Sequence, residues 1–530
     1  MNQKKIINLK KEPLIIGSFF FVALVLRLWG WTGGYPYLFH PDEEKYVINA
    51  FKMAHDKTLD PGYYVNPPLF SYLLLLLNTV IYAVSRLLGS IPDIYAFSNQ
   101  ILNEPNQFVY YSRILSAVTD SLFCFSLYLF LKNIYDRKIA TWGAVIYAAC
   151  LLCVREAHFG VPDTLTVLIV GMGLYYLTLS KPDFYKAAFF IGLSVAAKYT
   201  AFLLLIPLFL QVFHSERTLT SKKFLLCFLM LALGFLVGNP YILINPSGLI
   251  SGIKELQFLN TMGWFGVDYR MNGLIYYLKV LSWGNYGLFP VLVVFGTIHI
   301  IFKTNKYSLV IYTALFWIYL FFLSSSQLRF ERFALLLFPF AMIIILYPLS
   351  NIKNKSMNYL YQCILLVLVI MNIYGSIKIV SIFNGRDSRI EAKNVWSKVD
   401  GQLALDDYSI PYGSHNSMID KKLNNISKMH DYYGRFGVVM GENNLRQYKA
   451  LILSSYTFDK YRIDPLTFQE EYDFYYKMYS KSTCKIVANE AIDSKVNNDL
   501  FSVTGPIGNL SVMKMNGPNL YYITQNQNGK

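Results

Sequence analysis

The chain has 530 residues, of which 54% are hydrophobic, 17% aromatic and 15% charged. A soluble globular domain carries about 25% charged residues, so this chain has too few to cover a water-facing surface. These values exclude a secreted disulfide scaffold, a disordered chain and an ordinary cytosolic enzyme, and they indicate a polytopic membrane protein. The net charge is +15, and the position of the positive residues matters more than their sum.

The first eleven residues carry four lysines ahead of an apolar run, residues 14–26. This pattern resembles a secretory signal peptide, but no A-x-A cleavage site follows it and further apolar segments do. We therefore predict a first transmembrane helix whose N-terminus lies in the cytoplasm.

A helix that spans a membrane needs about 20 mostly apolar residues. In chain order, the candidate spans lie near residues 13–30, 68–89, 110–132, 139–155, 163–179, 186–198, 200–214, 223–243, 285–302, 307–325, 332–349 and 357–380. The two candidates within residues 186–214 are nearly continuous, so one long tilted helix is an alternative there.

The basic connectors decide which candidates cross, because basic connectors favour the cytoplasmic side. If every candidate crosses, all of these connectors fall outside: residues 132–138, 181–186, 214–223, 303–306 and 351–355. Removing the segment at 68–89 as a crossing places them all inside. We predict that this segment lies along the outer interface as a juxtamembrane helix, which leaves about eleven transmembrane helices.

This topology places three regions on the external face: a first loop of residues 31–110, a large loop of residues 246–283, and the tail after residue 384. In the tail, short alternating segments such as Ala450–Ser455 replace the long apolar runs, a pattern typical of strands. We predict an all-α polytopic membrane domain over residues 1–384 and a small external α/β domain over residues 385–530.

The first external loop opens with adjacent carboxylates in the segment HPDEEKY, residues 40–46. Asp42 and Glu43 lie just past a membrane helix, where catalysis could meet a lipid-borne substrate. The start of an amphipathic helix ending near His55 explains the same residues, because Pro and acidic residues favour a helix N-terminus. Both interpretations can hold, since an Asp at a helix start keeps its charge and can act as a base.

The second external loop places four ionisable groups between two spans: Arg155, Glu156, His158 and Asp163. Charged groups at membrane depth are expensive, so they are functional candidates by default. The alternative is an interfacial loop in which Arg155 and Glu156 simply pair. Arg155 and His158 are candidates for substrate binding, and Asp163 is a candidate for the catalytic site.

Several external cations suit contact with a phosphate group. Lys198 stands alone between two apolar runs, and snorkelling towards lipid headgroups is the alternative explanation for it. Arg329 and Arg332 fall at the outer face, and Arg270 is a further candidate of the same kind. Net positive charge outside, against the positive-inside trend, indicates an anionic partner there.

A metal site and a nucleotide site are both disfavoured. His40, Asp42, Glu43, His158 and Asp163 could together bind a divalent cation, but no metal-binding spacing supports this. The sequence contains no Gly-rich phosphate loop and no Walker sequence, which excludes an energising ATPase module and disfavours a soluble sugar-nucleotide donor. We expect no cofactor and no nucleic-acid partner.

A series of short motifs occurs in a fixed order along this topology. The motifs are Leu26-Arg27-Leu28, His40-Pro41-Asp42-Glu43, Asn66-Pro67-Pro68, residues 111–117, residues 157–164, residues 192–199, and Asp387-Ser388-Arg389 with Trp396. In this order the chain resembles the GT-C class of integral-membrane glycosyltransferases. It is most similar to the polyprenyl-phosphate-dependent branch, which includes protein O-mannosyltransferases and the lipid A aminoarabinose transferase. The resemblance covers residues 13–350 well and the tail loosely.

The resemblance implies a GT-C fold and a donor sugar linked through phosphate to a polyprenol. It assigns Asp42 as the general base on the acceptor hydroxyl, Glu43 as its neighbour and Asp163 as an orienting carboxylate. Attack on the anomeric carbon is in line, so the configuration inverts. The leaving polyprenyl phosphate requires cations as its charge grows, which implies that Lys198 contacts the phosphate.

One motif of the chain differs from that of the aminoarabinose transferase branch, and this difference leaves the acceptor class open. The aminoarabinose branch has Glu-Lys-Pro where this chain has Val65-Asn66-Pro67, so a phosphate-binding lysine is missing. The segment is closer to the His-Pro-Pro of the mannosyltransferase branch, with Asn66 in place of the His, and Asn66 is therefore a candidate for substrate binding. The acceptor can be a protein, a lipid or a polysaccharide of the cell envelope.

We therefore expect an inverting glycosyltransferase in the plasma membrane of a bacterium or archaeon, surrounded by membrane lipids and with its C-terminal domain outside. A transporter or flippase of lipid-linked sugars is the main alternative. That class predicts charges at mid-membrane and repeated halves, whereas here the charges gather at outer helix ends and no repeat is evident. A structural protein of polymer assembly is a third possibility, and it has no need of Asp42.

Overall fold

The structure is a computed structural model that describes residues 17–35, 38, 40, 42–217, 222–263, 271–285, 287–396, 398–405, 409, 423–425, 427–429, 436–438, 448–463, 465–466, 468–480, 484–488 and 520–524. The described part is mainly helical, with a small sheet near the C-terminus. It confirms the predicted fold class, a helical membrane protein with a small α/β unit after the last long helix.

The helices of the membrane domain follow one another with short connections. In chain order they are α1 (Gly17–Leu28), α2 (Glu43–His55), α3 (Leu69–Leu87), α4 (Ile94–Asn103), α5 (Pro105–Ile134), α6 (Arg137–Ala149), α7 (Leu151–Glu156), α8 (Asp163–Leu177), α9 (Phe184–Ala197), α10 (Leu205–Glu216), α11 (Lys222–Gly238), α12 (Pro246–Met262), α13 (Gly273–Trp283), α14 (Leu288–Lys303), α15 (Tyr307–Ser325), α16 (Phe338–Asn351) and α17 (Lys355–Phe383). Short 3-10 helices cover Tyr199–Leu204, Pro240–Leu243 and Glu331–Leu337.

Among the described residues, six helical segments are long and apolar enough to cross a membrane: α3, α5, α15 and α17, and the two 3-10 helices that continue into α10 and α16. The number is seven if the bent pair α13 and α14 counts as one span. The helix α3 is among the six by length and composition, although its buried residues follow one stripe, Phe70, Ser71, Leu74 and Asn78. Its predicted place along the outer interface stays a prediction, and so does the count of about eleven spans.

The nearly continuous apolar stretch within residues 186–214 contains a break, not one long helix. Lys198 has an extended backbone, with φ −155° and ψ 124°, and therefore ends α9. Its N–H group donates to the carbonyl oxygen of Ser194 at 2.9 Å, and the 3-10 helix at Tyr199–Leu204 then leads into α10. The break turns the Lys198 side chain away from the helix surface and towards neighbouring elements.

Two glycines let α9 and α11 pack with their backbones in contact. A Cβ atom on Gly192 would lie 2.0 Å from the carbonyl oxygen of Leu231, and one on Gly234 would lie 2.0 Å from that of Phe189. Helices that lack side chains at their contact can approach this closely. The contact fixes the last turns of α9, and with them the position of Lys198.

Replacing Gly192 with Ala tests this contact. The added methyl group has no space against the backbone of α11, so we expect the free energy of unfolding to fall by about 1–3 kcal/mol. Thermal unfolding of the purified protein measures the change. The matched control is Gly17→Ala, because a Cβ atom there meets nothing within 4 Å; equal melting temperatures for the two variants would contradict the predicted packing.

A buried ion pair joins the first helix to the core of the membrane domain. Arg27 on α1 donates through Nε to Asp120 on α5, and through Nη1 to the carbonyl oxygen of Ala148 at 3.1 Å. The hydroxyl of Tyr147 on α6 donates to the second carboxylate oxygen of Asp120 at 2.6 Å. Arg27 and Asp120 are fully buried, so this network fastens three helices together in apolar surroundings.

The C-terminal segment contains a sheet and helices, in agreement with the small α/β domain that the alternating pattern predicts. Helix α18 (Ser388–Trp396) leads into it, and helices α19 (Ser455–Ile463) and α20 (Gln469–Ser480) follow its central strand. The strands are β1 (Leu403–Leu405), β2 (Leu423–Asn425), β3 (Ser427–Met429), β4 (Phe436–Val438), β5 (Ala450–Ser454), β6 (Cys484–Ala488) and β7 (Leu520–Thr524). The main sheet has the order β2-β1-β5-β7-β6, parallel on the β2 side of β5 and antiparallel on the other.

Candidate active site

A cavity of about 740 Å³ lies where the start of α2, the start of α8, the end of α9, α12 and the 3-10 helix at Glu331–Leu337 come together. Its volume is within the range of small-molecule sites. The charged residues among its described lining are Asp42, Lys45, Asp163, Lys198 and Arg332. Four of these five were predicted from the sequence as site residues.

Asp42 occupies the N-cap position of α2, but its side chain makes no capping hydrogen bond. Its carboxylate instead accepts from Lys45 Nζ at 3.0 Å and from Arg332 Nη2 at 2.9 Å. Burial opposes ionisation of the carboxyl group, but the neighbouring Arg332 and Lys45 outweigh it and hold the pKa of Asp42 below its usual range. Asp42 is therefore an anion that two cations hold in the wall of the cavity.

Asp163 begins α8, and its carboxylate faces two of the cavity cations, Lys198 and Arg332. One of its carboxylate oxygens accepts from Lys198 Nζ, and the other lies 3.9 Å from Arg332 Nε. Arg332 thus lies between the two carboxylates, with one guanidinium nitrogen towards Asp42 and another towards Asp163. This arrangement brings together two acidic residues that are 121 positions apart in the sequence.

Aromatic rings form the apolar part of the same wall. Lys198 Nζ lies 4.3 Å from the centre of the Phe333 ring, and the Arg332 guanidinium lies 4.4 Å from the centre of the Phe330 ring. Cations over ring faces gain electrostatic attraction without needing more carboxylates. The two cations are therefore held in place while their remaining donors can reach a ligand in the cavity.

Glu43 lies next to Asp42 in sequence but points away from the cavity. Its carboxylate accepts from Arg113 Nε at 2.7 Å and from Arg113 Nη2 at 2.8 Å, a two-bond pair that is fully buried. The backbone N–H of Gly160 donates to the same carboxylate at 2.8 Å. Glu43 therefore ties the first loop to α5 and to the second loop, and it fixes the position of its neighbour Asp42.

Three residues predicted to bind substrate are outside the cavity lining and contact other groups of the protein. Arg155 lies 3.1 Å from Glu156 and 4.0 Å from Glu331. The ring nitrogens of His158 face the carbonyl oxygens of Val154 and Trp29, at 2.7 and 3.0 Å. Arg329 donates to the carbonyl oxygens of Ser326 and Met271, at 2.9 and 2.6 Å, and to Gln327 Oε1 at 3.1 Å.

Asn66 lines the cavity as the sequence predicts, and its amide donates to the hydroxyl of Tyr63 at 3.4 Å. Arg270 lies outside the residues that the structure describes. Sequence reasoning missed Lys45, although its spacing of three residues from Asp42 on a predicted helix is typical of an ion pair. It also missed the amides Gln257 and Asn260 on α12, for which no local motif exists.

The residues considered as metal ligands are mostly engaged elsewhere. His40 accepts the backbone N–H of Asp42 through Nδ1 at 3.1 Å, and burial lowers its pKa to about 4, so the ring is neutral near pH 7. Among the described residues, no group of three or more His, Cys, Asp or Glu side chains is arranged to hold a metal ion. Metal independence stays a prediction.

The chain is similar to one known protein family over part of its length and to solved structures over most of it. Residues 91–242 match the family of dolichyl-phosphate-mannose-protein mannosyltransferases, a stretch that contains Arg113, Asp163 and Lys198. The solved structure of ArnT from Cupriavidus metallidurans in the apo state is 12% identical, with 89% of this chain and 96% of that chain covered at a TM-score of 0.50. No curated protein matches the sequence significantly.

A second similar structure is the archaeal oligosaccharyltransferase AglB from Archaeoglobus fulgidus, in complex with an inhibitory peptide and a dolichol-phosphate. It is 13% identical, with 88% of this chain and 72% of that chain covered at a TM-score of 0.53. The chain has the GT-C fold. The GT-C resemblance carried by the motifs is thereby confirmed. The family match over residues 91–242 supports a membrane glycosyltransferase of the polyprenyl-phosphate-dependent kind.

Proposed function

We propose that the protein is an inverting glycosyltransferase that moves a sugar from a polyprenyl-phosphate donor to an acceptor hydroxyl on the extracytoplasmic face. The GT-C fold and the mannosyltransferase match over residues 91–242 support the donor class. The AglB structure of the same fold contains a dolichol-phosphate, a lipid phosphate of this class. The donor sugar is a hexose or a pentose, and the acceptor is a protein, a lipid or a polysaccharide.

The charge of the cavity carries this proposal. Its described lining holds three cations, Lys45, Lys198 and Arg332, against two carboxylates, Asp42 and Asp163. The surplus of one positive charge matches the single negative charge of a phosphodiester. The surplus positive charge suits a phosphate-linked donor, and the carboxylate in the wall supplies a base that sugar transfer needs and that movement of a lipid-linked sugar across the bilayer does not.

The reaction forms a bond between the acceptor oxygen and the anomeric carbon as the bond from that carbon to the phosphate oxygen breaks. Asp42 takes the proton of the acceptor hydroxyl. Attack from the face opposite the phosphate inverts the configuration. Lys198 and Arg332 stabilise the second negative charge that develops on the leaving polyprenyl phosphate.

Binding of the donor also prepares the base. In the empty cavity Arg332 and Lys45 hold both oxygens of Asp42, and a carboxylate paired in this way is a weak base. A phosphate that attracts Arg332 weakens one of these pairs and raises the basicity of Asp42. The carboxylate therefore becomes an effective base only when the donor is in place.

Reconstitution with a radiolabelled polyprenyl-phosphate sugar tests the proposal. We expect Lys198→Ala to reduce sugar transfer by about 10²–10³-fold, because the leaving phosphate loses a charged donor. The matched control is Lys186→Ala, since Lys186 is a solvent-exposed lysine of the same helix that also pairs with an Asp. Equal transfer by both variants would refute the phosphate contact, and movement of the donor across the bilayer without transfer would establish a flippase instead.

Removal of divalent metal in the same assay tests the absence of a cofactor. We expect EDTA to leave sugar transfer unchanged within about twofold, because Lys198 and Arg332 can supply the charge that a metal ion provides elsewhere. Initial rates before and after dialysis against EDTA measure the effect. Complete loss of transfer that a divalent cation restores would contradict this prediction.

A further inference from the structure

A third carboxylate lies behind the two that line the cavity. Glu156 ends the short helix α7 and is 2% exposed. Its Oε1 lies 3.1 Å from Arg155 Nη1, and Arg155 Nη2 lies 4.0 Å from Glu331 Oε2. Glu331 precedes Arg332, whose side chain lines the cavity. Glu156 is thus connected to the cavity through neighbouring charges without lining it.

Charges of both signs face Glu156 from the surrounding elements. Arg155 comes from its own helix, Glu331 and Arg332 from the 3-10 helix at Glu331–Leu337, and Asp163 from the start of α8. Lys198 at the end of α9 is also within electrostatic range of Glu156.

Uncharged groups complete these surroundings. On α13, Tyr276 hydrogen-bonds the carboxylate of Glu331. On α17, which packs against the other end of α7, Asn372 Oδ1 accepts the backbone N–H of Leu151 at 3.0 Å. Arg155 is thus a cation that Glu156 shares with a second carboxylate, Glu331.

The five described charges that line the cavity have a surplus of one positive charge, and the three behind them, Arg155, Glu156 and Glu331, have a surplus of one negative charge, so the two groups together are balanced while the cavity is empty. Four cations face four carboxylates when all are ionised: Lys45, Arg155, Lys198 and Arg332 with Asp42, Glu156, Asp163 and Glu331. A phosphodiester that enters the cavity adds one negative charge. Leaving a buried cluster with an uncompensated charge is costly, and one proton on a carboxylate restores the balance.

Glu156 is the carboxylate best placed to take that proton. Asp42 and Asp163 each accept directly from a cavity cation, whereas Glu156 is held by a shared arginine. Burial raises the pKa of Glu156 to about 7, against the attraction of Arg155 and Arg332. A phosphate beside Arg332 and Lys198 screens the positive charges that favour the ionised form, so it raises this pKa further.

We propose that Glu156 takes up a proton when the phosphate of the lipid-linked donor enters the cavity, so that donor binding is coupled to pH. The inference rests on the proposed function and adds a proton-linked step to it. Below about pH 7 Glu156 holds its proton with or without ligand, and the affinity is constant there. Above about pH 7 the empty protein has lost the proton and must regain it, so the affinity falls, by at most about tenfold per pH unit.

Calorimetry on the full chain in lipid nanodiscs tests the proton uptake. The probe is farnesyl methyl phosphate, a phosphodiester that keeps one negative charge between about pH 6 and pH 9 because it lacks the second phosphate ionisation. Titration in two buffers with different protonation enthalpies gives the number of protons bound with each probe. We expect more than about half a proton at pH 8 and close to none at pH 6.

The variant Glu156→Gln keeps the shape of the side chain and removes the site of protonation. We expect it to bind the probe at least as tightly as the wild type at pH 8, with no proton uptake and no change in affinity between about pH 6 and pH 9. The matched control is Glu216→Gln, which removes a partly exposed carboxylate that pairs with Lys223 and does not line the cavity. We expect proton uptake to persist in that control.

Several outcomes would overturn the proposal. They are unchanged uptake in Glu156→Gln, loss of uptake in the control Glu216→Gln, and a wild-type protein that binds the probe without exchanging protons. The last outcome leaves the proposed function intact, whereas a wild-type protein that does not bind the probe overturns both. If Glu156→Gln fails to fold, the wild-type comparison in two buffers at two pH values still decides.

Discussion

We expect replacement of Asp42 with Asn to lower the rate of sugar transfer by about 10²–10⁴-fold, the range typical of losing a general base. The amide oxygen still accepts from a cation of the cavity, so the shape of the wall is kept while the proton acceptor is lost. Donor binding changes much less than turnover, because Lys198 and Arg332 remain in place. Turnover and donor affinity, measured separately with a radiolabelled polyprenyl-phosphate sugar, distinguish these two effects.

The control for this substitution is Asp56→Asn, at the exposed end of the same helix. Asp56 pairs with the neighbouring His55 and is remote from the cavity, so its amide variant should transfer sugar at the wild-type rate. If Asp42→Asn retained wild-type turnover, another group would have to remove the acceptor proton. If it lost donor affinity and turnover equally, Asp42 would act in binding and not as the base.

Replacing Arg27 with Met destabilises the folded protein by about 3–5 kcal/mol, because it leaves the fully buried carboxylate of Asp120 without its charged partner. The free energy of unfolding in detergent, titrated with sodium dodecyl sulfate, measures the loss. The double variant Arg27→Met with Asp120→Leu should recover much of it, since it removes both charges and leaves apolar side chains of similar volume.

An exposed ion pair provides the comparison. Arg386 pairs with Glu391 at 2.9 Å and is 78% exposed, so Arg386→Met should change the unfolding free energy by less than about 1 kcal/mol. Equal effects of Arg27→Met and Arg386→Met would show that the Arg27 pair is hydrated, and that it does not fasten α1 to the core.

The helices could be predicted from the sequence because a spanning helix must contain a long apolar stretch. The predicted span at 307–325 coincides with α15, Tyr307–Ser325. The break at Lys198 was also predictable, since a single lysine between two apolar runs is expensive inside a helix that crosses the membrane. The close contact of α9 and α11 follows from Gly192 and Gly234, but hydropathy does not show which helix each glycine faces.

From the sequence, the candidate site could be predicted only where several charged residues lie close together in the chain. The segment at residues 40–46 identified Asp42 because its charges cluster at a helix start. Arg329 was assigned to phosphate from its charge and its predicted face, but it donates to the carbonyl of Met271, 58 positions away. Every residue has a backbone carbonyl, so the sequence does not show which one accepts from an arginine. The structure was therefore needed to distinguish Arg329, which contacts the backbone, from Arg332, which faces the cavity.

The side chain of Glu43 has a consequence for protein engineering. By accepting from Arg113 and from the backbone of Gly160, it makes the two loops that carry Asp42 and Asp163 behave as one body. A chimaera that takes the first loop from another GT-C protein and keeps the second loop of this one would lose the common anchor. To replace the first loop and keep this anchor, the second loop and Arg113 must be exchanged with it.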